Sequence, residues 1–229
     1  MKRKIQAVIF DMDGLMLDTQ RIATQVWQQA ATECGFTLSD EQGLAMIGRN
    51  PQGMNAVLIE TFGTDFPLEA CRNRANELYL ASITQQGVQV KPGLWELLDF
   101  LGQESIATAV ATSTPRELTT YHLNQTRLIS RFKAIVTGDE IQHGKPAPDI
   151  FLSAATAINV SPDKCVVLED SFPGIQAAHA AKMIPIMVPD LKPPTEEIKA
   201  MAYAIVPSLY EAKEVIAGLL NEETESQLR

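Results

Sequence analysis

Short apolar, β-branched runs punctuate this chain: IQAVIF (5–10), IATAVAT (106–112), AIVTG (134–138), CVVLED (165–170), IPIMVP (184–189) and AIVP (204–207). Each is nearly continuous in apolar residues rather than alternating, as expected of strands covered on both faces in a parallel sheet. Between them the period lengthens. Leu94, Leu97, Leu98 and Leu101 recur at helical spacing, and DIFLSAATAI (149–158) and GIQAAHAAK (174–182) are alanine-rich helix formers. Strand and helix in alternation predict an α/β fold built on a doubly wound parallel sheet.

The interval 18–88 breaks the alternation. It contains no convincing strand, but three amphipathic helical patterns: Ile22, Val26, Trp27 and Ala30; Met54, Val57, Leu58 and Phe62; and Leu68, Cys71, Ala75, Leu78 and Tyr79. A segment of this length is too large for a simple crossover and predicts an inserted all-helical cap. The chain re-enters the core at VKPGL (90–94), where Pro-Gly signals a turn. The expected organisation is an α/β core from 1–17 and 89–220, a cap at 18–88, and a frayed, charged tail at 221–229.

Composition narrows the functional classes. A formal net charge of −9 argues against non-specific nucleic-acid binding and against an anionic membrane surface. No run approaches the length of a membrane span, and the basic start MKRK is followed by only six apolar-rich residues before Asp11. Cys34, Cys71 and Cys165 are odd in number and widely spaced, which predicts reduced thiols, with Cys165 a small buried hydrophobe. A soluble, cytoplasmic monomer is expected.

Ligands of open parallel sheets bind at the carboxyl ends of the strands. Asp11 and Asp13 follow the first run, Thr112, Ser113 and Thr114 end the second, Lys145 lies in the loop after the third, and Glu169 and Asp170 end the fourth. Acids, hydroxyls and an amine on one rim can hold a divalent metal and a phosphate together. Asp11, Asp13 and Asp170 offer hard oxygen ligands for Mg2+, with Glu169 a further candidate. With the anion neutralised by metal and Lys145, one Asp carboxylate can attack phosphorus while a second moves protons. Thr112 and Ser113 would hold phosphate oxygens. TPRE (114–117) matches a capping box, with Thr114 as N-cap, beside the anion.

Asp11-Met12-Asp13-Gly14, Thr112, Lys145 in a Lys-Pro-x-Pro-Asp context, and Glu169-Asp170-Ser171 followed by Gly174 resemble the four ordered motifs of the haloacid dehalogenase superfamily. More narrowly they resemble its β-phosphoglucomutase-like subfamily of helical-cap phosphatases. That resemblance implies Asp11 as nucleophile and Asp13 as acid/base. It also implies Mg2+ on the Asp11 side chain, the Asp13 backbone carbonyl and Asp170. The expected activity is hydrolysis of a small phosphomonoester, a sugar phosphate or nucleoside-type monophosphate, through an aspartyl-phosphate. The mutase branch carries a His four residues after the position of Thr19; here it is Ala23, which favours water as phosphoryl acceptor.

Competing readings fit less well. An EF-hand loop would need further ligands and a Glu where Ile22 stands. GDEIQHGK (138–145) has the wrong spacing for a P-loop, and Pro146 follows its lysine. No G-x-S-x-G elbow is present. A receiver-type signalling domain would place its phosphoacceptor after the third strand, where Asp139 is the acid, and would lack the cap. His122, His143 and His179 share no ligand spacing and are expected to be structural. Near the cap, Asp18 is expected to cap its first helix or touch substrate together with Thr19. Gly48 and Arg49 are expected in a loop over the site, with Arg49 solvated or meeting a substrate anion.

Overall fold

The computed structural model describes residues 5–227, with side chains described as far as residue 221. Each apolar run contains one strand: β1 (Ala7–Phe10), β2 (Ala107–Thr112), β3 (Ala134–Thr137), β4 (Cys165–Glu169), β5 (Ile184–Met187) and β6 (Ala204–Ile205). They form one sheet in the order β3-β2-β1-β4-β5-β6, with every pairing parallel. The chain winds outward from β1 through β2 to β3, then returns to β4 on the other side of β1. The crevice that this reversal opens lies beyond the carboxyl ends of β1 and β4.

The helices are α1 (Gln20–Glu33), α2 (Asp40–Met46), α3 (Pro51–Phe62), α4 (Leu68–Gln86), α5 (Leu94–Gln103), α6 (Arg116–Gln125), α7 (Asp149–Ala157), α8 (Phe172–Ala180), α9 (Glu196–Met201) and α10 (Leu209–Gln227). Successive strand residues feed opposite cores, as the two-residue period requires. Val8, Phe10, Val110, Val166 and Leu168 pack with Leu94, Leu97 and Leu101 of α5 and with Leu209 and Ile216 of α10. Ala7, Ile9, Ala109, Ala111 and Val167 pack with Ile150 and Phe151 of α7 and with Ala177 and Ala178 of α8. Burying one such large apolar side chain stabilises the fold by about 1.5–3 kcal/mol, so both faces hold the central strands in register.

Helices α1–α4 stand between β1 and β2 as the cap, with their own apolar centre around Trp27, Ala30, Leu58, Phe66 and Ala75. The three expected cap helices are present. The fourth, α2, lacks strong periodicity but begins with a reciprocal capping box: Gln42 N–H donates to Ser39 Oγ and Ser39 N–H to Gln42 Oε1. The two connections between cap and core run side by side. Asp18 N–H donates to Gln89 O (2.9 Å) and Lys91 N–H to Met16 O (2.8 Å).

One expectation needs correction. Cys34 and Cys71 form a disulfide rather than standing as free thiols; packing of α1 against α4 brings their Cα atoms to 6.3 Å across a separation of 37 residues. Cys165 is the free, buried cysteine. In the segment expected to fray, the backbone of α10 continues to Gln227. Among the described residues no helix is long and apolar enough to cross a membrane.

Candidate active site

The carboxyl ends of β1, β2 and β4 and the loop after β3 converge on one buried polar cluster. Lys145 is its centre. Its Nζ donates to Asp11 Oδ1 (2.5 Å), Glu169 Oε1 (2.6 Å) and the Ala111 carbonyl (3.3 Å). Glu169 is fully buried, and its other oxygen accepts from the Ser171 N–H (2.7 Å) and hydroxyl (2.8 Å). Both Glu169 oxygens are therefore committed to the protein. Gly174 makes this possible, because a Cβ there would overlap the Glu169 carboxylate.

Asp13 faces three hydroxyls from two parts of the chain, the start of the cap and the end of β2. Thr19 donates to Oδ1 (2.6 Å), while Thr114 (2.7 Å) and Thr112 (3.3 Å) donate to Oδ2. Thr114 is thus not the N-cap of α6. Pro115 holds that position without a side-chain cap, and the Asp139 carboxylate accepts the Arg116 N–H instead. A capping-box signature and a half-buried carboxylate compete for one hydroxyl, and the carboxylate wins because charge-assisted bonds are roughly twice as strong. Asp139 itself accepts from the Thr137 hydroxyl (2.6 Å), so the acid after β3 serves the loop and not the cluster.

Asp170 is buried. Its Oδ2 accepts from the Gln20 side-chain amide (2.7 Å), and its Oδ1 is buried with no partner among the described residues. Ligand atoms of Asp11, Glu169 and Asp170 all lie within 4.8 Å of one another. Three carboxylates crowd one ammonium in a buried site. Burial, then the Lys145 ammonium working against it, then the Glu169 and Asp13 carboxylates leave Asp11 pushed up to about 8. Burial and the Glu169, Asp11 and Asp190 carboxylates raise Asp170 well above the usual range. Burial disfavours the charged Lys145, but Asp11 and Glu169 more than offset it and its pKa is raised. The cluster as it stands is an acidic triad suited to a cation.

A cleft of about 210 Å³ lies between this cluster and the cap. Asp11, Asp13, Thr112, Ser113 and Thr114 form its floor, and Ala23, Trp27, Asn76 and Tyr79 lie among its cap-side walls. Gly48 and Arg49 line it too. The Gly48 carbonyl accepts from the Ser113 hydroxyl (3.3 Å), and Arg49 Nε donates to Ala45 O (2.9 Å). Asp18 does not cap α1. Its carboxylate lies 3.8 Å from both Lys91 and Arg21, and the N-cap position belongs to Thr19, whose hydroxyl is spent on Asp13.

Three residues of the site escape sequence reasoning. Gln20 bridges Asp170 and the Asp13 carbonyl (2.8 Å). Tyr79 of the cap hydrogen-bonds His122 Nε2 of α6 (3.0 Å), and burial lowers the His122 pKa and raises that of Tyr79. The Tyr79 position was visible only as part of an apolar stripe, and nothing in the spacing links either residue to the site.

A doubly wound sheet with acids at the switch point, a lysine between them and a helical cap above defines a capped hydrolase. The chain belongs to the haloacid dehalogenase-like hydrolase family, whose model matches residues 8–188. Its cap, inserted between β1 and β2, is that of the β-phosphoglucomutase-like branch. It is 32% identical over 177 residues to a phosphorylated carbohydrates phosphatase of Thermotoga maritima, covering 77% of this chain and 82% of that protein. It is 33% identical over 225 residues to a probable pseudouridine-5′-phosphatase of Drosophila melanogaster, covering 95% of each. The crystal structure of β-phosphoglucomutase from Clostridium difficile superposes with a TM-score of 0.80 at 24% identity, covering 96% of this chain and 99% of that one, a likeness of fold.

Proposed function

We propose that the protein is a Mg2+-dependent phosphatase that hydrolyses a small phosphomonoester through a phospho-Asp11 intermediate. The observation that carries this reading is Lys145 bound to both Asp11 and Glu169, with Asp13 and Asp170 beside them, at the floor of a capped cleft. The donors fit a hard cation. Asp170 Oδ1 is buried with no partner among the described residues, and burial with the neighbouring acids raises the Asp170 pKa, as expected of carboxylates that share a site with too little positive charge. The Asp11 and Asp170 carboxylates and the Asp13 carbonyl would hold the ion, with Glu169 outside because both its oxygens are already bonded. When bound, Mg2+ would neutralise the phosphoryl oxygens and the surplus charge of the acids.

The residues then divide the work. Lys145 pins Asp11 Oδ1, leaving the other carboxylate oxygen to attack phosphorus. As that P–O bond forms, the ester P–O bond breaks and protonated Asp13 gives its proton to the leaving oxygen. Asp13 next takes a proton from water, the resulting hydroxide attacks phosphorus, and Asp11 is released with inorganic phosphate. Thr112 and Ser113 at the cleft floor, with Lys145, would hold phosphate oxygens. Thr19 and Thr114 fix the Asp13 carboxylate in the orientation both transfers need. The cap shields the reaction from bulk water and shapes the leaving-group pocket.

The cleft between core and cap and the named relatives support a substrate class of phosphorylated carbohydrates or nucleoside-type monophosphates. Phosphatase is favoured over phosphosugar mutase because Ala23, in the cap-side wall, offers no proton-bearing side chain at the position where the mutase branch has His. The test is turnover of an aryl phosphate and of a panel of sugar and nucleoside monophosphates. Wild type should be active with Mg2+ and silent in EDTA, and Asp11→Asn should be silent throughout. Undiminished metal-free turnover would overturn the mechanism, and a requirement for a sugar bisphosphate activator would restore the mutase.

A further inference from the structure

Gln20 is the first residue of α1, and so belongs to the cap, yet its side chain is buried in the core's acid cluster. Its amide nitrogen has two hydrogens and places both on atoms of the proposed cation site: the Asp13 carbonyl at 2.8 Å and Asp170 Oδ2 at 2.7 Å. The reach is made possible by Gly14 (φ +86°), where a Cβ would run into both the Gln20 amide and the Asp170 carboxylate. Among the described residues the buried Gln20 carbonyl oxygen has no partner, and neither has Asp170 Oδ1. A buried amide with one end unsatisfied is held there by what its other end does.

We infer that Gln20 is a positioning residue for the cation, setting the affinity of the site for Mg2+ and tying that affinity to the seating of the cap. The inference rests on the metal-dependent reading above. By holding Oδ2, Gln20 stops the Asp170 carboxylate from rotating and leaves Oδ1 as the oxygen free to coordinate. By holding the Asp13 carbonyl, it fixes the neutral ligand that the backbone must present. Groups that orient metal ligands in this way typically contribute 10–100-fold to metal affinity. Because Gln20 rides on α1, displacing the cap removes both bonds, so cation binding and cap seating favour each other reciprocally.

The geometry distinguishes this role from its opposite. If the amide nitrogen merely filled the place of the cation, removing it would tighten binding. The experiment is calorimetric titration of Mg2+ into wild type, Gln20→Met and Gln20→Ala, with metal-free thermal melts to establish folding. Gln20→Met keeps length and burial but has no donor. Mg2+ binding to both variants should weaken by roughly 10–100-fold. Affinity equal to or tighter than wild type would overturn the role. Failure of wild type itself to bind Mg2+ would instead sink the metal reading on which it rests. A measurement free of variants is the Gln20 side-chain NH2 resonance in wild type, which should stay protected from exchange at saturating Mg2+. Loss of protection would mean that the ion displaces the amide, and would overturn the proposal.

Discussion

In the metal-free protein, Asp11 should make folding stability fall as pH rises, and Asp11→Asn should remove that fall. Asp11 is buried, and its folded pKa is pushed up to about 8 from an ordinary 3.8, by burial first and by Glu169 and Asp13 against the opposing pull of Lys145. A carboxyl whose folded pKa lies above its unfolded value binds its proton more tightly when folded. The associated stability is complete below the unfolded pKa and is lost as pH climbs through the folded one. At 1.36 kcal/mol per pH unit, the loss between about pH 5 and about pH 8 comes to about 4 kcal/mol. For a chain of this size, with a shift of about 2–4 °C per kcal/mol, that is a fall in Tm of about 8–16 °C. The assay is thermal unfolding in EDTA across this range for wild type and Asp11→Asn. Asparagine cannot titrate, so the difference between the two curves reports Asp11 together with its effect on Asp170. The variant, though catalytically dead, should gain on wild type as pH rises. Saturating Mg2+ should flatten the wild-type curve, since a cation stabilises the ionised carboxylate. Parallel curves in EDTA, within about 1 kcal/mol, would refute the account of the cluster as buried carboxylates sharing too little positive charge.

Other consequences are local. Thr114→Val removes the 2.7 Å bond to Asp13; kcat should fall by about 10-fold or more, since positioned acid–base groups supply about 10²–10⁴ in rate, and an unchanged kcat would exclude its orienting role. Gly174→Ala drives a methyl into the Glu169 carboxylate and should cost about 1–3 kcal/mol or more in denaturant unfolding. The paired control Gly218→Ala, in open space within α10, should stabilise by about 0.5–1 kcal/mol. Equal effects from the two glycines would show that overlap with Glu169 is not what constrains position 174. Tyr79→Phe breaks the 3.0 Å bond between cap and core at His122; stability should drop by about 1 kcal/mol and KM should rise more than kcat falls, whereas unaltered kinetics would show that the bond is not coupled to the cleft.

The parts of the molecule that can be read from the sequence are those in which one local pattern has one physical outcome. A run such as CVVL (165–168) has no polar face and is too short for a buried helix, so it reads as a strand covered on both sides, with its end on the rim where ligands bind. Asp11, Lys145, Glu169 and Asp170 are legible for that reason, each lying at or beyond a strand end, and they meet in space as chain order suggested. Legibility ends where one side chain has two possible partners. The Thr114 hydroxyl can cap α6 or bind Asp13, and only the tertiary placement of Asp13, 101 residues away, decides. The Cys34–Cys71 pair and the Tyr79–His122 bond depend likewise on how the cap helices pack, which spacing does not encode. Helix α2 is a different case, since its short span has no strong apolar period and its Ser39–Gln42 capping box is what marks its start.

The placement of Thr19 and Gln20 carries the last step. These two neighbours, at the point where the core chain becomes the cap, grip Asp13 at two different atoms: the Thr19 hydroxyl holds the carboxylate, and the Gln20 amide holds the backbone carbonyl. The carboxylate is the proposed acid/base and the carbonyl a proposed cation ligand, so a displacement of α1 would disturb proton transfer and metal binding together. Thr19 lies only six positions after Asp13, and the intervening turn is buried through Leu15, Met16 and Leu17, which pack into the core. The turn therefore cannot absorb a movement of the cap without giving up apolar burial, so α1 leaves its place beside Asp13 only at a cost in core packing. A leaving group that seats the cap poorly should accordingly lower kcat as well as raise KM, since misplacing α1 misaligns the acid that must protonate it.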